Sequence, residues 1–490
     1  MNPSGPRFFG FLLVMMVMLY LLRSGAQRRL LLLAASYYFY FELSHYAVVV
    51  LLGVTAVAYF GALWLRRVPA GPRNTVFFSL VCAVVLAPLL VFKYLPPMLG
   101  LVAYHYHGIR VLDFLSLVVP VGISFFTFAA LGYLCDVYLE IIDPEPRIDK
   151  VALFLAFFPV ISAGPIGRAQ RFMPQLELDL PFSSDRAISA IRIILIGLVM
   201  KDFIANNIAG PADAVFAAPS SYSALDQFLG AVDFVFYLYS DFAGYSLIAI
   251  GSARLLGLDV MQNFAQPLLS PTIPELWRRW HISLSSWVAD YIFAPLRMTW
   301  RRHPVPGMIA ALMLSFTIIG VWHGAAWGFL FFGILHGVYA SLSFLTLKKR
   351  DQFWAFLRVP AGVVYPFRVL ITFLLFAFSL VLFRAANISD ALFLYKSIFS
   401  VTFVKECAAA FLGFVSHPTG TLAGSALTGY MTCVLFFIVL IVGDIIARRK
   451  DFFLGMAMPL QIAFANVCFL LILAAWLSGH GTAPFVYYKF

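Results

Sequence analysis

The sequence predicts an all-α polytopic integral membrane protein, and three observations carry that expectation. Of the 490 residues, 62% are apolar or aromatic and only 12% are Asp, Glu, Lys or Arg, against about 25% charged in an ordinary soluble domain. So few charges cannot clothe the surface of a chain this long in water, which excludes a soluble enzyme. The apolar residues run on for most of a bilayer width, whereas barrel strands would show short alternating segments, so the spans are helical. The excess of 34 basic over 23 acidic residues lies in short clusters between the apolar runs. That pattern is the positive-inside rule and not a nucleic-acid surface, so no nucleic-acid partner is expected.

Taken in order, Phe8 to Leu22 is the first apolar run, and Arg23, Arg28 and Arg29 follow it. A basic flank after the run fits a retained span with its N-terminus outside, in place of a secretory signal. Leu30 to Leu65 holds two short spans broken by Glu42, Ser44 and His45, and it ends in Arg66, Arg67 and Arg73. Two inner basic loops thus frame one outward hairpin. Further spans are predicted at Val76 to Phe92, Phe114 to Leu134, Val151 to Ser162, Ile188 to Met200, Phe228 to Leu256, Met308 to Trp327, Phe329 to Leu347, Val369 to Phe383, Thr428 to Ala447 and Leu460 to Leu477. Several fall short of the length a perpendicular helix needs, so some are expected to be re-entrant or interfacial, with about 11 to 13 crossings in all. Arg448, Arg449 and Lys450 mark an inner loop before the last span, which puts the tail from Ser478 to Phe490 outside. No repeat or low-complexity linker divides the chain, so a single membrane domain, 1–490, is expected, with 460–490 forming the last helix and its tail. The five cysteines show no CxxC pair and behave as small hydrophobes.

Ionisable side chains at membrane depth are costly and face a cavity, which makes them the first functional candidates. Pro274 to Leu296, PELWRRWHISLSSWVADYIFAPL, is too polar for a span and too apolar for a solvent loop. Read as one helix, it places Trp277, Trp280, Leu284 and Trp287 on one stripe and Arg278, His281 and Ser285 on another side. It reads as an interfacial or half-inserted helix whose Trp and Arg residues either line a site or anchor at the headgroups. In GVWHGAAWG, Gly320, Gly324 and Gly328 are spaced by four, as if on one helix face, around Trp322 and His323. A histidine there is either a proton acceptor near neutral pH or a buried residue satisfied by a carbonyl, and His336 in ILHGVY poses the same choice. In YLYSDFAGYSLIAIG, Asp241 is either a site residue or part of an interhelical hydrogen-bond cluster, while Asp290 either orients a histidine or pairs with an arginine. There is no Walker A run, no HExxH pair and no GxSxG elbow, and no metal is expected. What remains is a pair of intramembrane histidines suited to taking a proton from a hydroxyl. A transporter or flippase is the rival class, and inverted repeats would mark it.

Together, WRRWHISLSSWVADYIFAPL, VWHGAAWGFLFFGILHG, YSDFAGYSLIAIG, PVGISFFTF and FFPVISAGPIGRAQRFMPQL resemble the membrane-bound O-acyltransferases. The resemblance implies a ring of tilted helices around a thin partition, with a funnel from each side meeting near two histidines. It implies that His323 is catalytic and His281 its partner, with Asp241, Trp277, Arg278, Trp280, Ser285, Asp290 and Trp322 in binding or supporting roles. The implied reaction moves an acyl group to a hydroxyl of an extracytoplasmic envelope polymer, with no bound cofactor. Its donor would be a cytoplasmic thioester, either acetyl-CoA or the phosphopantetheine arm of an acyl carrier protein. Arg66, Arg67, Arg73 and the stretch from Arg297 to Arg302 are either donor-facing residues or topology anchors only. DFAGYSLIAIG, QNFAQPLLSP and AGPIGRAQRF look like the teichoic-acid D-alanyl transferase branch, whereas alginate-type O-acetyltransferases carry an acidic residue where Leu247 stands. Ala289 stands where the family has an arginine before Asp290. The ending PFVYYKF resembles the aromatic tail of exopolysaccharide-acetylating relatives and of a small partner protein in teichoic-acid systems, which implies Tyr487 as an acyl relay with Tyr488 beside it, the alternative being an aromatic tail anchored at the membrane interface. The implied setting is the bacterial cytoplasmic membrane, with membrane lipid, a polysaccharide or teichoic-acid-like acceptor and an extracellular acyltransferase as partners.

Overall fold

The computed structural model describes residues 3–98, 119–177, 183–416 and 458–477, together with 435 and 438, and every regular element among them is a helix. Among the described residues, seven helices are long and apolar enough to cross a membrane: Ala47–Leu65, Pro72–Met98, Ala224–Leu255, Pro304–His323, Trp327–Phe356, Ala361–Arg384 and Pro459–Leu477. Pro6–Leu21 and Ile123–Tyr138 are apolar but shorter. The expected span at Val151 to Ser162 is instead the buried helix Ile148–Ala156, about 14 Å long at the helical rise and too short to cross. The expected span at Ile188 to Met200 extends further than its apolar run, because Ser184–Leu198 passes through a π-helical turn, Val199–Ala205, into Asn206–Ala217. The expected span from Thr428, the basic cluster at Arg448 to Lys450 and the tail with Tyr487 and Tyr488 lie outside the described residues.

The helix Ala224–Leu255 is the axis of the packing, with most of its residues buried. Its ends are set locally. Ser223 caps the N-terminus by accepting the Asp226 amide at 3.1 Å, and Gly257, at φ +87°, lets the chain turn back so that the Leu258 amide reaches the Ala253 carbonyl at 2.9 Å. In the middle, small residues bring backbones together. A Cβ on Gly244 would lie 2.7 Å from the Gly197 carbonyl oxygen, and one on Gly197 equally close to the Gly244 oxygen. Beside that contact, Lys201 on the π-turn and Asp241 on the axis form an ion pair at 2.5 Å, both side chains almost wholly buried.

Two regions depart from the continuous helices that their spacing suggests. Pro274 to Leu296 breaks at His281, whose backbone is left-handed at φ 45°: Ile273–Arg279 precedes the joint, and Ile282–Val288 follows it and runs on through a π-helical turn, Ala289–Phe293, into Ala294–Thr299. Trp277, Trp280, Leu284 and Trp287 are nonetheless all buried in the protein, so they serve the core and not the headgroup layer. Gly320, Gly324 and Gly328 do not share a face. The helix ends at His323, Gly324 continues in extended backbone, and Trp327–Phe356 returns antiparallel. Gly320 instead meets Gly333 of the returning helix, where an added Cβ would come within 2.9 Å of the Gly333 Cα.

Removing one partner of a buried ion pair leaves the other charge less well compensated. Asp241→Asn is therefore expected to cost about 3–5 kcal/mol, read as a lowered unfolding midpoint in detergent, whereas Lys201→Met with Asp241→Leu should recover most of it. An unchanged midpoint in Asp241→Asn would show that the pair does not hold the axis to the π-turn.

Candidate active site

Two helix breaks meet in the interior. His323 is the last residue of Pro304–His323, and His281 is the joint between Ile273–Arg279 and Ile282–Val288. They are 5% and 1% exposed. Trp322 stands between them, with its ring centre 4.8 Å from that of His323 and 5.7 Å from that of His281. Phe125 and Phe242 pack on His281, at 6.5 and 4.7 Å, and Phe383 on His323 at 4.8 Å. Sequence reasoning separated these residues by 42 positions; the fold brings them into one aromatic cage.

The left-handed joint is held by one residue. Asn263 accepts the Ile282 amide on its backbone oxygen at 2.9 Å, while its side-chain oxygen accepts from Ser283 N at 3.2 Å and Ser283 Oγ at 2.9 Å. Its amide nitrogen donates to Ser246 Oγ at 3.2 Å, which fixes the orientation of the amide. The same Oδ1 lies 3.1 Å from His281 Nδ1. An oxygen can only accept, so Nδ1 carries the proton and Nε2 presents its lone pair. His281 Nε2 and Trp322 Nε1 are buried atoms without a hydrogen-bond partner among the described residues. An acceptor and a donor left so in one apolar cage each cost about 1–3 kcal/mol, and polar groups of a bound molecule would satisfy them. The arrangement suits a small alcohol whose proton is to be removed.

His336 contrasts with this. Trp277 Nε1 donates to its Nδ1 at 3.1 Å, and its Nε2 lies 2.9 Å from Ser379 Oγ. The Ser379 hydroxyl itself donates to the Phe376 carbonyl at 2.7 Å, so Nε2 is the donor. Both ring nitrogens are occupied, and His336 together with Trp277 is a structural bridge.

The other expected site residues disperse. Trp280 packs on Tyr239, Phe264 and Phe376. Ser285 donates to the Trp280 carbonyl at 3.0 Å and so secures the joint. Asp241 faces Lys201, while the next residue, Phe242, faces His281. Arg278 does not approach His281: it is 77% exposed and reaches Glu275 at 3.4 Å. Asp290 orients no histidine; it is exposed and pairs with Arg168 at 2.8 Å. Arg168 in turn lies over the Tyr291 ring at 4.6 Å, so the guanidinium at this step comes from GPIGRAQRF and not from position 289. Arg301 and Arg302 are exposed, and no group of three or more His, Cys, Asp or Glu side chains that could hold a metal occurs among the described residues. Asn263 went unread, because nothing in QNFAQP distinguishes it from Gln262 or Gln266 until the loop is folded against Ile282–Val288.

Comparison with known proteins bears on this site. Residues 143–383, which include both histidines, match the profile of the membrane-bound O-acyltransferase family. A probable alginate O-acetylase of Azotobacter vinelandii is 34% identical over 286 residues, 58% of this chain and 54% of that one. A peptidoglycan O-acetyltransferase of Helicobacter pylori is 32% identical over 322 residues, 60% of this chain and 59% of that one. A teichoic acid D-alanyltransferase of Lacticaseibacillus rhamnosus is 32% identical over 329 residues, 63% of this chain and 76% of that one. The match spans about half the length of the alginate relatives.

If Asn263 sets the tautomer of His281, Asn263→Leu should free Nδ1 from its acceptor. In ¹⁵N spectra of histidine-labelled protein, one ring should then leave the pure Nδ1–H pattern for a mixture. A spectrum identical to that of the unaltered protein would exclude this role.

Proposed function

Because this chain belongs to the membrane-bound O-acyltransferase family, we propose that it transfers an acyl group to a hydroxyl of a cell-envelope polymer, with His323 as general base and His281 as its partner. The observation that carries this reading is the pair of buried histidines flanking Trp322 inside the stretch that matches the family. His323 takes the proton of the acceptor, or of an intermediate, hydroxyl. The oxygen then attacks the thioester carbonyl, and collapse of the tetrahedral intermediate expels the thiolate, which regains a proton. Trp322 Nε1 can donate to the oxygen of that hydroxyl, while His281, held as the Nδ1–H tautomer, offers its Nε2 lone pair to a further donor of the bound substrates.

Acetyl is the group favoured by the 34% identity to an alginate O-acetylase, and an envelope polysaccharide is then the acceptor. D-alanyl is the second reading, favoured by the 76% coverage of a teichoic acid D-alanyltransferase. The donor is accordingly acetyl-CoA or the phosphopantetheine thioester of a carrier protein, presented from the cytoplasmic face of a bacterial inner membrane. Pro6–Leu21 and Ile123–Tyr138, with segments outside the described residues, would complete the about 11 to 13 crossings expected from the apolar runs. In this reading Tyr487, on a tail placed outside by the basic cluster before the last span, receives the acyl group and passes it on. Its phenol, with an ordinary pKa of ~10, needs a base to become a nucleophile.

His323→Ala and His323→Gln should each lower transfer by about 10²- to 10⁴-fold while the protein still purifies as a monodisperse species. Near-normal turnover in His323→Gln would refute the base assignment. Activity should be lost on acidification, since protonation removes the lone pair. Tyr487→Phe keeps the aromatic ring and removes only the oxygen. It should abolish polymer acylation, and mass spectrometry with acceptor withheld should find an acyl ester at Tyr487 in the unaltered protein; unchanged acylation would leave the tail without a relay role.

A further inference from the structure

The helix Pro72–Met98 contains a π-helical turn at Leu90–Tyr94, and that turn carries two polar side chains to the end of the helix that bears His323. Lys93 Nζ donates to the Trp322 carbonyl at 2.8 Å and lies 5.6 Å from the centre of the Trp322 ring. The Tyr94 hydroxyl donates to the Val321 carbonyl at 2.7 Å. Adjacent residues of one helix thus hold adjacent carbonyls of another, and the next residue is His323.

The Trp322 carbonyl needs such a partner, and the Val321 carbonyl gains a second one beside the Gly324 amide. The last turn of any α-helix leaves its carbonyl oxygens without intrahelical donors, and at membrane depth no water replaces them. The chain turns away at Gly324, whose amide reaches back only to Val321, at 3.1 Å. A cation is the favoured partner at a helix C-terminus, where the peptide dipoles converge. A lysine in a membrane span is nonetheless expensive, and Lys93 makes no ion pair among the described residues. Its contact with Trp322, the residue between the two imidazoles, gives that cost a function. Both residues lie outside the stretch 143–383 that matches the family.

We propose that Lys93 and Tyr94 are positioning residues for His323: gripping the Trp322 and Val321 carbonyls, they hold the terminal turn so that the imidazole and the Trp322 ring keep one orientation towards the acceptor hydroxyl. This rests on the reading of His323 as the base for acyl transfer. Misplacement of a base by about 1 Å can cost about 100-fold.

The test uses the full chain in detergent or nanodiscs, with two independent readouts. Tyr94→Phe removes one oxygen and should raise amide hydrogen exchange in the peptide covering 321–326, with kcat about 10-fold lower and KM unchanged. Lys93→Met should do more on both counts, and Lys93→Arg, which keeps a charged donor, should recover most of the loss. Unchanged exchange in Tyr94→Phe and Lys93→Met, or a rise in KM with kcat intact, would overturn the proposal. Should Lys93→Met fail to fold, Tyr94→Phe decides alone. If His323→Ala transfers acyl groups as well as the unaltered protein, it is the acyl-transfer reading that falls, and the exchange data still report whether the two side chains hold the turn.

Discussion

Backbone that is not helical can exist at membrane depth only where the protein itself supplies hydrogen-bond partners. The interior of this protein is organised around two places where that condition has to be met. One is the left-handed joint at His281, whose neighbours are held by Asn263 through both its backbone and side-chain oxygens. The other is the helix end at His323, whose last carbonyls are met by Lys93 and Tyr94 from a separate helix. A helix break frees a side chain from the cylinder of its helix and lets it face a neighbour that regular geometry would not allow. His281 gains its approach to Trp322 in that way.

Such breaks require a stiff frame around them. The Ala224–Leu255 axis provides it through contacts too close for side chains, as between Gly197 and Gly244, and through a buried ion pair that fixes its register against the π-turn. Small-residue contacts contribute by proximity, since lipid is as apolar as the helices and gives no hydrophobic drive for them to associate. The ion pair contributes specificity, because a slip of either helix would strand a charge. Phe242 packs on His281 from the residue beside Asp241, so the register of the pair is also the register of one wall of the cage.

The contrast between the histidines shows how function is separated from structure in an apolar interior. His336 and His281 are both fully buried among aromatic rings. The first has a partner on each ring nitrogen and is thereby committed to holding helices together. The second has a partner on one nitrogen only, and the other faces the same cage as the Trp322 indole. The proton on Nδ1 of His281, and hence the free lone pair on its Nε2, is a property of Asn263.

The sequence by itself determined the class of the protein. Composition and run length report directly on the solvent a chain is built for, and the costliest residues in that solvent, His281, His323 and Asp241, stand out against it. Motif resemblance then reached the family. Only the tertiary structure decided which polar residues act together. Helical spacing put Arg278 beside His281 and three glycines on one face, and both expectations failed because periodicity assumes an unbroken helix, whereas the breaks at His281 and Gly324 depend on partners distant in the chain. Asp290 found Arg168 and Asp241 found Lys201 for the same reason: a charge at low dielectric is paired by whatever the fold brings near it. Asn263 and Tyr94 carried no local signal, and Lys93 carried only that of a charge at the end of an apolar run, since all three satisfy backbone groups of other segments, and which groups are left unsatisfied is known only once the helices have ended.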